Sequence, residues 1–400
     1  MLGTTTALAD GVLTVDQVEL STLVRSRDKC IADVVLHVAL PGEAKRILCT
    51  KDVVQPRCKS RGDEIGSGAT FVLDGVAVVT CGPIVGFQEG VIDMSGPGAD
   101  YTPFSRLALI VVELKVEAGT SPHEHEAALR SAGLFVAEFI AQHCATPADH
   151  STEELLWDEV AADSILPRIA YVDLVLSQGL LHDTYVLGRK SEEILPLRLD
   201  PRILIDGGVV SGNCVSACDK ITTYHHQNNP VISELMAGHG TRWNFVGVVL
   251  SNLPTRLAEK QHSARRAVEL VRELAPDGAV ISKEGFGNPD ADLMMIIRGL
   301  EAAGVRTAAI TDEYAGPDGA SQSLADATPE ADALVSVGNA NERIVLPAME
   351  TIIGPLPDVA RLAGGYAHSV RDDGTFEVEL QAIVGSTNQL GFSRLSCRGI

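Results

Sequence analysis

The side chains best suited to chemistry are concentrated in one short polar segment in the middle of the chain. Residues 209–220 read VVSGNCVSACDK, and residues 221–230 continue with ITTYHHQNNP. The reactive groups of this segment are Cys214, Cys218, Lys220, His225 and His226. Such a concentration of reactive side chains on a glycine-punctuated loop indicates function, because catalytic and binding residues are often found on loops that a rigid scaffold positions.

Two kinds of chemistry are open to these groups. A cysteine thiolate is a good nucleophile and its sulfur a good leaving group, and lysine and histidine can transfer protons nearby. Alternatively, the two cysteines and two histidines offer four ligands for zinc, although their spacing fits no standard zinc motif. Structural roles are also open, with Cys218 as a small buried hydrophobe and Lys220 as the ion-pair partner of Asp219 or Glu234.

Two further motifs follow in the second half of the chain. Residues 283–294 read KEGFGNPDADLM, and residues 311–342 contain TDEYAG, DGAS and GNANE in that order. The residues predicted to bind substrate, together with Cys218 of the central segment, are Asn228, Glu284, Asn288, Asp290, Asp312 and Glu313. A purely local role remains open for Asp290 and Asp292, which are also typical first-turn acids of a helix.

These three motifs, in this order, resemble the component B proprotein of glycine/sarcosine/betaine reductase, a relative of the D-proline reductase proprotein. The resemblance extends over nearly the whole chain and is densest between residues 206 and 354. It implies that the chain cleaves itself before a cysteine, which here is Cys214, so that the broken bond is Asn213–Cys214. It further implies that Cys214 becomes a pyruvoyl group, with no metal expected.

The implied chemistry is consistent with the residue types. Attack of the Cys214 thiolate on the Asn213 carbonyl gives a thioester, and β-elimination followed by hydrolysis leaves a ketone. Glycines such as Gly212 permit the tight backbone that this attack requires. The ketone then forms a Schiff base with a primary or secondary amine, which weakens the C–N bond of a small amino acid or its N-methyl derivative. We expect Lys220, His225 and His226 to transfer protons in this site.

The resemblance also implies partners. The chain contains no selenocysteine, so the nucleophile that displaces nitrogen must come from a partner subunit carrying selenocysteine or cysteine. A thioredoxin-like protein would supply the electrons. If processing does not occur, the remaining alternatives are a thiol or zinc site and a non-catalytic scaffold for that partner.

Composition restricts the class of protein. The net charge of -21 and the pI of about 4.9 argue against nucleic acid as a partner, since phosphates are bound by clustered lysine and arginine. We expect a cytoplasmic location, because residues 1–6 lack the basic and apolar regions of a signal peptide. The 8 cysteines are irregularly spaced, which favours reduced thiols.

The hydrophobic pattern predicts an α/β protein. Short alternating runs predict strands at 18–23, 32–40, 70–81 and 106–117, and a further strand at 202–205 leads into the central segment. In the second half, strands at 243–250, 279–282 and 305–310 alternate with helices at 258–274 and 290–303. Alternating strands and helices of this length form βαβ units and a parallel sheet.

This pattern predicts a division into three parts. Residues 1–150 form a β-rich domain with one helix, which begins at Ser121. Residues 151–213 connect this domain to an α/β domain at 214–400, which begins at the processing cysteine. The motifs at residues 283 and 311 follow strands, and parallel sheets form their sites at the carboxyl ends of strands.

Overall fold

A computed structural model describes most of the chain. The described residues are 1–82, 84, 89–145, 152–153 (backbone only), 157, 164–177, 183–212, 220–354, 362–366, 369, 371–387 and 389–390. Asn213, Cys214 and Cys218 lie outside the described residues, whereas the other predicted site residues lie within them.

The helices of the described residues are α1 (Gln17–Arg27), α2 (Gly96–Ala99), α3 (Pro122–Cys144), α4 (Pro201–Ile203), α5 (Thr223–Gln227), α6 (Pro230–Ala237), α7 (Leu257–Glu273) and α8 (Asn288–Ala302). The strands are β1 (Leu2–Gly3), β2 (Ala7–Ala9), β3 (Val12–Asp16), β4 (Ile31–Ala39), β5 (Lys45–Val54), β6 (Arg57–Arg61), β7 (Ala69–Val72), β8 (Val76–Cys81), β9 (Gly90–Asp93), β10 (Ala108–Val116), β11 (Thr152–Glu153), β12 (Arg168–Val175), β13 (Thr184–Val186), β14 (Arg189–Lys190), β15 (Leu197–Leu199), β16 (Val209–Ser211), β17 (Asn244–Asn252), β18 (Gly278–Lys283), β19 (Arg306–Glu313), β20 (Leu334–Asn339), β21 (Arg343–Leu346), β22 (Thr351–Ile353) and β23 (Phe376–Glu379).

One mixed sheet organises the first part of the chain. Its strands lie in the order β22-β5-β8-β10-β4, with β9 also paired to β5. Helix α3 packs against it through a buried apolar face that includes Val136 and Ile140. The Ser121 side chain and Glu124 cap each other's backbone at the start of α3, as its sequence predicted.

A second sheet organises the C-terminal half. Its order is β15-β17-β12-β18-β19-β20, in which β15 is antiparallel and the other strands are parallel. Helices α7 and α8 cover one face, and Gly299 lets them approach closely because a Cβ there would lie 2.8 Å from Val268. The α/β class expected from the sequence is confirmed.

In both sheets, strands from before residue 214 pair with strands from after it. Strand β12 comes from the chain before this point, yet it lies between β17 and β18 at the centre of the parallel sheet. Strand β22 comes from the chain after this point and pairs with β5 in the first sheet. The three-part division stays a prediction, but its boundary at residue 214 does not separate the two sheets.

Three local predictions were wrong, and one strand was missed. Residues 18–23 belong to helix α1, because the Asp16 side chain caps the amides of Val18 and Glu19. Residues 202–205 are also helical, because Asp200 caps α4, which continues into a π turn at Leu204–Gly208. The run at 70–81 is interrupted by a turn between β7 and β8, and strand β5 was not predicted at all.

The helices were also compared with the length and hydropathy that a membrane span requires. Within the described ranges, no helix combines the length and the apolar character needed to cross a lipid bilayer.

The pairing of strands from either side of residue 214 generates a prediction about residues 1–213 and 214–400. Residues 214–400 expressed alone should not fold cooperatively, because their sheet would lack the central strand β12. Co-expression with residues 1–213 should give one complex that survives native size-exclusion chromatography and separates in denaturant. A cooperative thermal transition for residues 214–400 alone would contradict this expectation.

Candidate functional site

The candidate site is built around Lys220, the first described residue after the central loop. Its side chain is buried, with 3% of the residue exposed. Its Nζ donates a hydrogen bond of 2.5 Å to the Thr184 hydroxyl and lies 3.7 Å from Glu284 Oε2. A buried lysine requires partners, because a desolvated charge without them would cost several kcal/mol.

Glu284 supplies the main ionic partner and is held from two sides. It follows the carboxyl end of β18, where its Oε2 accepts from the Leu176 amide at 2.6 Å and its Oε1 from the Ile221 amide at 3.1 Å. Burial raises the pKa of Glu284, and the charge of Lys220 opposes that shift. The carboxyl group is therefore fixed between the end of β12 and the residue that follows Lys220.

A second carboxyl group approaches from the centre of the sheet. Asp173 on β12 is fully buried, and its Oδ1 accepts a 3.1 Å hydrogen bond from the Ser282 hydroxyl. The Tyr171 hydroxyl lies 2.6 Å from the same Ser282 oxygen. Burial and the nearby Glu284 raise the pKa of Asp173 to about 7, which Lys220 opposes. Asp173 can therefore change its protonation state near neutral pH.

A third carboxyl group comes from the first sheet. Asp52 on β5 accepts from the Thr223 amide at 2.8 Å and from the Thr223 hydroxyl at 2.6 Å. Burial raises the pKa of Asp52 to about 7, and Lys220 again opposes the shift. Lys220 thus pairs with Glu284 at the end of β18, and its charge also acts on Asp52 of β5 and Asp173 of β12. We call these four residues the Lys220 cluster.

The adjacent histidines have different environments. His226 Nε2 lies 3.8 Å from Glu284 Oε1, and neither ring nitrogen forms a hydrogen bond within the described part of the chain. Burial, with Lys220 nearby, lowers the pKa of His226 well below its usual value, so the ring is neutral. His225 instead caps α5, with Nδ1 3.2 Å from the Thr222 amide, and its ring packs on Phe104. His226 therefore contacts the Lys220 cluster through Glu284, and His225 stabilises the start of α5, the helix that carries His226.

Lys283 organises a second buried cluster next to the first. Its Nζ lies 2.9 Å from Asp290 Oδ1 and 3.7 Å from Asp312 Oδ1. Asp312 also accepts from Gln389 at 3.1 Å, and burial raises the pKa of Asp312 to about 7. Asp290 Oδ2 accepts from the Gly287 amide, as expected for a residue in the first turn of α8. Since Lys283 and Glu284 are consecutive, the two clusters are joined through the end of β18.

Three further residues predicted to bind substrate have other contacts. Asn228 ends α5 and donates to Gln55 at 3.0 Å, where it lines a separate cavity of about 350 Å³. Asn288 is exposed at the start of α8, and its carbonyl accepts from Lys260. Glu313 accepts from the Ser323 hydroxyl at 2.9 Å. These contacts explain their positions without substrate.

A metal site is the alternative role for the polar side chains of this region. Among the residues that the structure describes, no three or more histidine, cysteine, aspartate or glutamate side chains are arranged to hold an ion. Cys214 and Cys218, which the zinc alternative needs, lie outside those residues.

The sequence is similar to that of known proteins over almost its whole length. A family model described as glycine/sarcosine/betaine reductase component B subunits matches residues 1–398. The chain belongs to this family. Component B subunits alpha and beta of the glycine reductase complex of Acetoanaerobium sticklandii are 45% identical to it, over 99% of this chain and 96% of the relative. The resemblance predicted from the three motifs is confirmed.

Two other relatives define the breadth of the family. The sarcosine reductase complex component B subunit alpha of Peptoclostridium acidaminophilum is 43% identical, over 99% of this chain and 96% of the relative. The D-proline reductase proprotein of A. sticklandii is 26% identical, over 70% of this chain and 48% of the relative. No solved structure matches the chain.

Two carboxyl groups of the Lys220 cluster were missed by the sequence analysis. Asp52 lies on the strand that was not predicted, 171 positions from its partner Thr223. Asp173 lies within an apolar run that reads as an ordinary buried strand. A charged residue in such a run was the available signal, because buried carboxyl groups require a reason to be there.

The raised pKa of Asp173 generates a prediction about stability. The carboxyl group titrates near ~4 when unfolded, so its protonated form stabilises the fold at low pH. This contribution is lost as the pH rises to about 7, the folded pKa. Asp173→Asn keeps the oxygen that accepts from Ser282 but cannot ionise. Relative to the wild type, it should therefore gain stability between pH 4 and 7, by at most roughly 4 kcal/mol.

Thermal or urea unfolding at several pH values measures this difference. Asp33→Asn, which changes an exposed carboxylate on β4, is the matched control and should reproduce the wild-type profile. Parallel profiles for Asp173→Asn and the wild type would show that Asp173 is already ionised in this pH range.

Proposed function

We propose that this component B subunit reductively cleaves the C–N bond of a small amino acid or N-methyl amino acid. The cleavage would use a pyruvoyl group derived from Cys214 by self-cleavage of the Asn213–Cys214 bond. The observation that carries the proposal is that the described residues on both sides of this segment are held at one strand pair, and that Lys220 on its C-terminal side belongs to the Lys220 cluster. Membership of the family supports it independently.

The anchoring is visible in the residues on either side of the segment. On the N-terminal side, the Gly212 amide donates to the Asp183 carbonyl at 2.7 Å. A Cβ at Gly212 would lie 2.3 Å from that carbonyl oxygen, so only glycine fits this close approach. On the C-terminal side, Lys220 donates to Thr184, and Thr184 pairs with Ser211 in the β13–β16 ladder. Both ends of the segment therefore meet at one strand pair.

Self-cleavage needs a nucleophile and groups that move protons. The Cys214 thiolate would attack the Asn213 carbonyl, so that the acyl group moves from nitrogen to sulfur. Removal of the Cα proton of residue 214 would break its Cβ–S bond, leaving a thiocarboxylate at residue 213 and dehydroalanine at residue 214. Tautomerisation and addition of water would release ammonia and leave the ketone. Glu284 and Lys220 are suited to these proton transfers, because they are buried together at the edge of the segment.

The described residues also suit a polar group at position 214. Asp173 Oδ2 and both ring nitrogens of His226 are buried without hydrogen-bond partners in the described ranges. Buried polar atoms of this kind normally have partners, so these atoms fit a site that receives a polar ligand. When present, the ketone would supply an electrophile that no ordinary side chain offers to a substrate amine.

The role of the surrounding side chains during turnover follows from their charge. An amino acid arrives with a protonated amine, which must lose a proton before it can act as a nucleophile. Glu284, whose pKa is raised by burial, is suited to accept that proton, and Lys220 stabilises the ionised form of Glu284 that precedes the transfer. Neutral His226 adds an uncharged donor or acceptor beside them.

The chemistry restricts the substrate and requires partners. A primary or secondary amine can condense with a ketone, whereas a quaternary amine cannot. Reductive cleavage consumes two electrons and a nucleophile that displaces the nitrogen. We expect the nucleophile from a partner subunit with selenocysteine or cysteine, and the electrons from a thioredoxin-like protein.

The proposal predicts two masses for the purified chain under denaturing conditions. The fragments should correspond to residues 1–213 and 214–400, and the second should react with hydrazine because it carries a ketone. Cys214→Ala is the matched control and should give one full-length mass. A full-length wild-type chain with a free thiol at Cys214 would contradict the proposal and favour thiol or metal chemistry, or a scaffold.

A second prediction concerns Lys220. Lys220→Met keeps the length and apolar stem of the side chain but removes the charge that acts on three carboxyl groups. We expect self-cleavage to slow by roughly 10²-fold or more, the usual contribution of a positioned proton-transfer group.

The rate is measured by pulse–chase labelling and denaturing gel analysis of the two fragments. Lys260→Met is the matched control, because it removes another buried lysine, paired with Asp292, outside the Lys220 cluster. Cleavage of Lys220→Met at the rate of this control would exclude a role for the Lys220 charge.

A further inference from the structure

The two flanks of the 213–219 segment are joined at the Thr223 hydroxyl, which a side chain of a distant strand holds in place. Asp52 on β5 accepts from both the amide and the hydroxyl of Thr223, at 2.8 and 2.6 Å. The same Thr223 hydroxyl accepts from the Ser211 amide at 2.9 Å. Ser211 precedes the segment and Thr223 follows it, so a single chain of hydrogen bonds spans both flanks.

The direction of these hydrogen bonds is fixed by chemistry. A threonine hydroxyl has one proton, and an amide nitrogen can only donate. Because the Thr223 hydroxyl accepts from Ser211, its own proton is directed to Asp52. Asp52, Thr223 and Ser211 are 3%, 0% and 0% exposed, so water does not compete for these bonds. When Asp52 is ionised, these bonds are stronger than bonds between neutral groups.

The backbone of β5 explains why Asp52 can reach this position. The pairing of β5 with β8 shifts register between Thr50 and Asp52, which marks a β-bulge. A bulge changes the direction of side chains locally and leaves one residue out of the ladder. Asp52 is then held in place by its own hydrogen bond from the Val53 amide at 2.8 Å.

We propose that Asp52 is a positioning residue for self-cleavage, which holds Ser211 and Thr223 together through the Thr223 hydroxyl. The proposal rests on the proposed function, since it concerns the cleavage of Asn213–Cys214. Asp52 acts through Thr223 and Ser211 and takes no part in bond breaking.

The physical reason is the geometry that an intramolecular attack requires. The Cys214 sulfur must approach the carbonyl carbon of the preceding residue, and small errors in such an approach reduce rates by about 10²-fold. The flanks determine how closely the ends of the segment can come together. The hydrogen bond from Ser211 to the Thr223 hydroxyl, which Asp52 orients, removes freedom that would otherwise separate the reacting atoms.

The first test is Asp52→Asn in the full chain. Asparagine has the same shape, but its amide nitrogen would donate to the Thr223 hydroxyl in place of accepting from it. The hydroxyl then has to accept from both Asn and Ser211, which weakens the link between the flanks. We expect conversion of the pulse-labelled chain into two fragments to slow by about 10- to 100-fold.

The second test uses Thr223 itself and has an internal control. Thr223→Val keeps the shape but removes the hydroxyl, and should slow cleavage as Asp52→Asn does. Thr223→Ser keeps the hydroxyl and should cleave within about threefold of the wild type. The double variant Asp52→Asn/Thr223→Val should be no slower than either single variant, because residues that act as one unit are not additive.

Folding is checked separately from cleavage. Each substitution is also made in Cys214→Ala, and thermal midpoints are compared between full-length chains that cannot cleave. If Asp52→Asn does not fold, the comparison of Thr223→Val with Thr223→Ser decides the question. A folded Asp52→Asn that cleaves at the wild-type rate, or a Thr223→Ser as slow as Thr223→Val, would overturn the positioning role alone. A wild-type chain that does not cleave would overturn the proposed function as well.

Discussion

The structure depends on how one buried lysine is compensated. Lys220 pairs with Glu284, and its charge acts on Asp52 and Asp173 from two other elements. Burial raises the pKa of all three carboxyl groups, and the charge of Lys220 opposes each shift. The cluster therefore holds protons that are exchangeable near neutral pH, which is a property of sites that transfer protons.

The same compensation explains why the two sheets are interleaved. Asp52 belongs to the first sheet, Asp173 lies at the centre of the second, and the end of β18 adds Glu284. Removal of Glu284 would leave the buried Lys220 without its ionic partner, which would cost about 3–5 kcal/mol. Strand β12 between β17 and β18, and β22 beside β5, keep the parts of the chain on either side of residue 214 together.

Self-cleavage in such a framework would alter one peptide bond without disturbing the core. The segment that contains the bond is flanked by Gly212 and Lys220, each fixed by hydrogen bonds to β13 or the residue before it. A rigid scaffold around a short segment is what an intramolecular reaction requires, because its rate depends on the approach of two neighbouring groups.

The sequence by itself determined the elements that local signals specify. The cap of α3 and the apolar runs of β17 and β18 were predictable, because capping and periodicity act within a few residues. Three ordered motifs were also sufficient to predict the family. Only the tertiary structure decided which polar residues lie in contact. Asp52 and Thr223 are 171 positions apart, and their contact depends on a bulge in β5 and on the packing of α5 beside that strand, which no local pattern encodes.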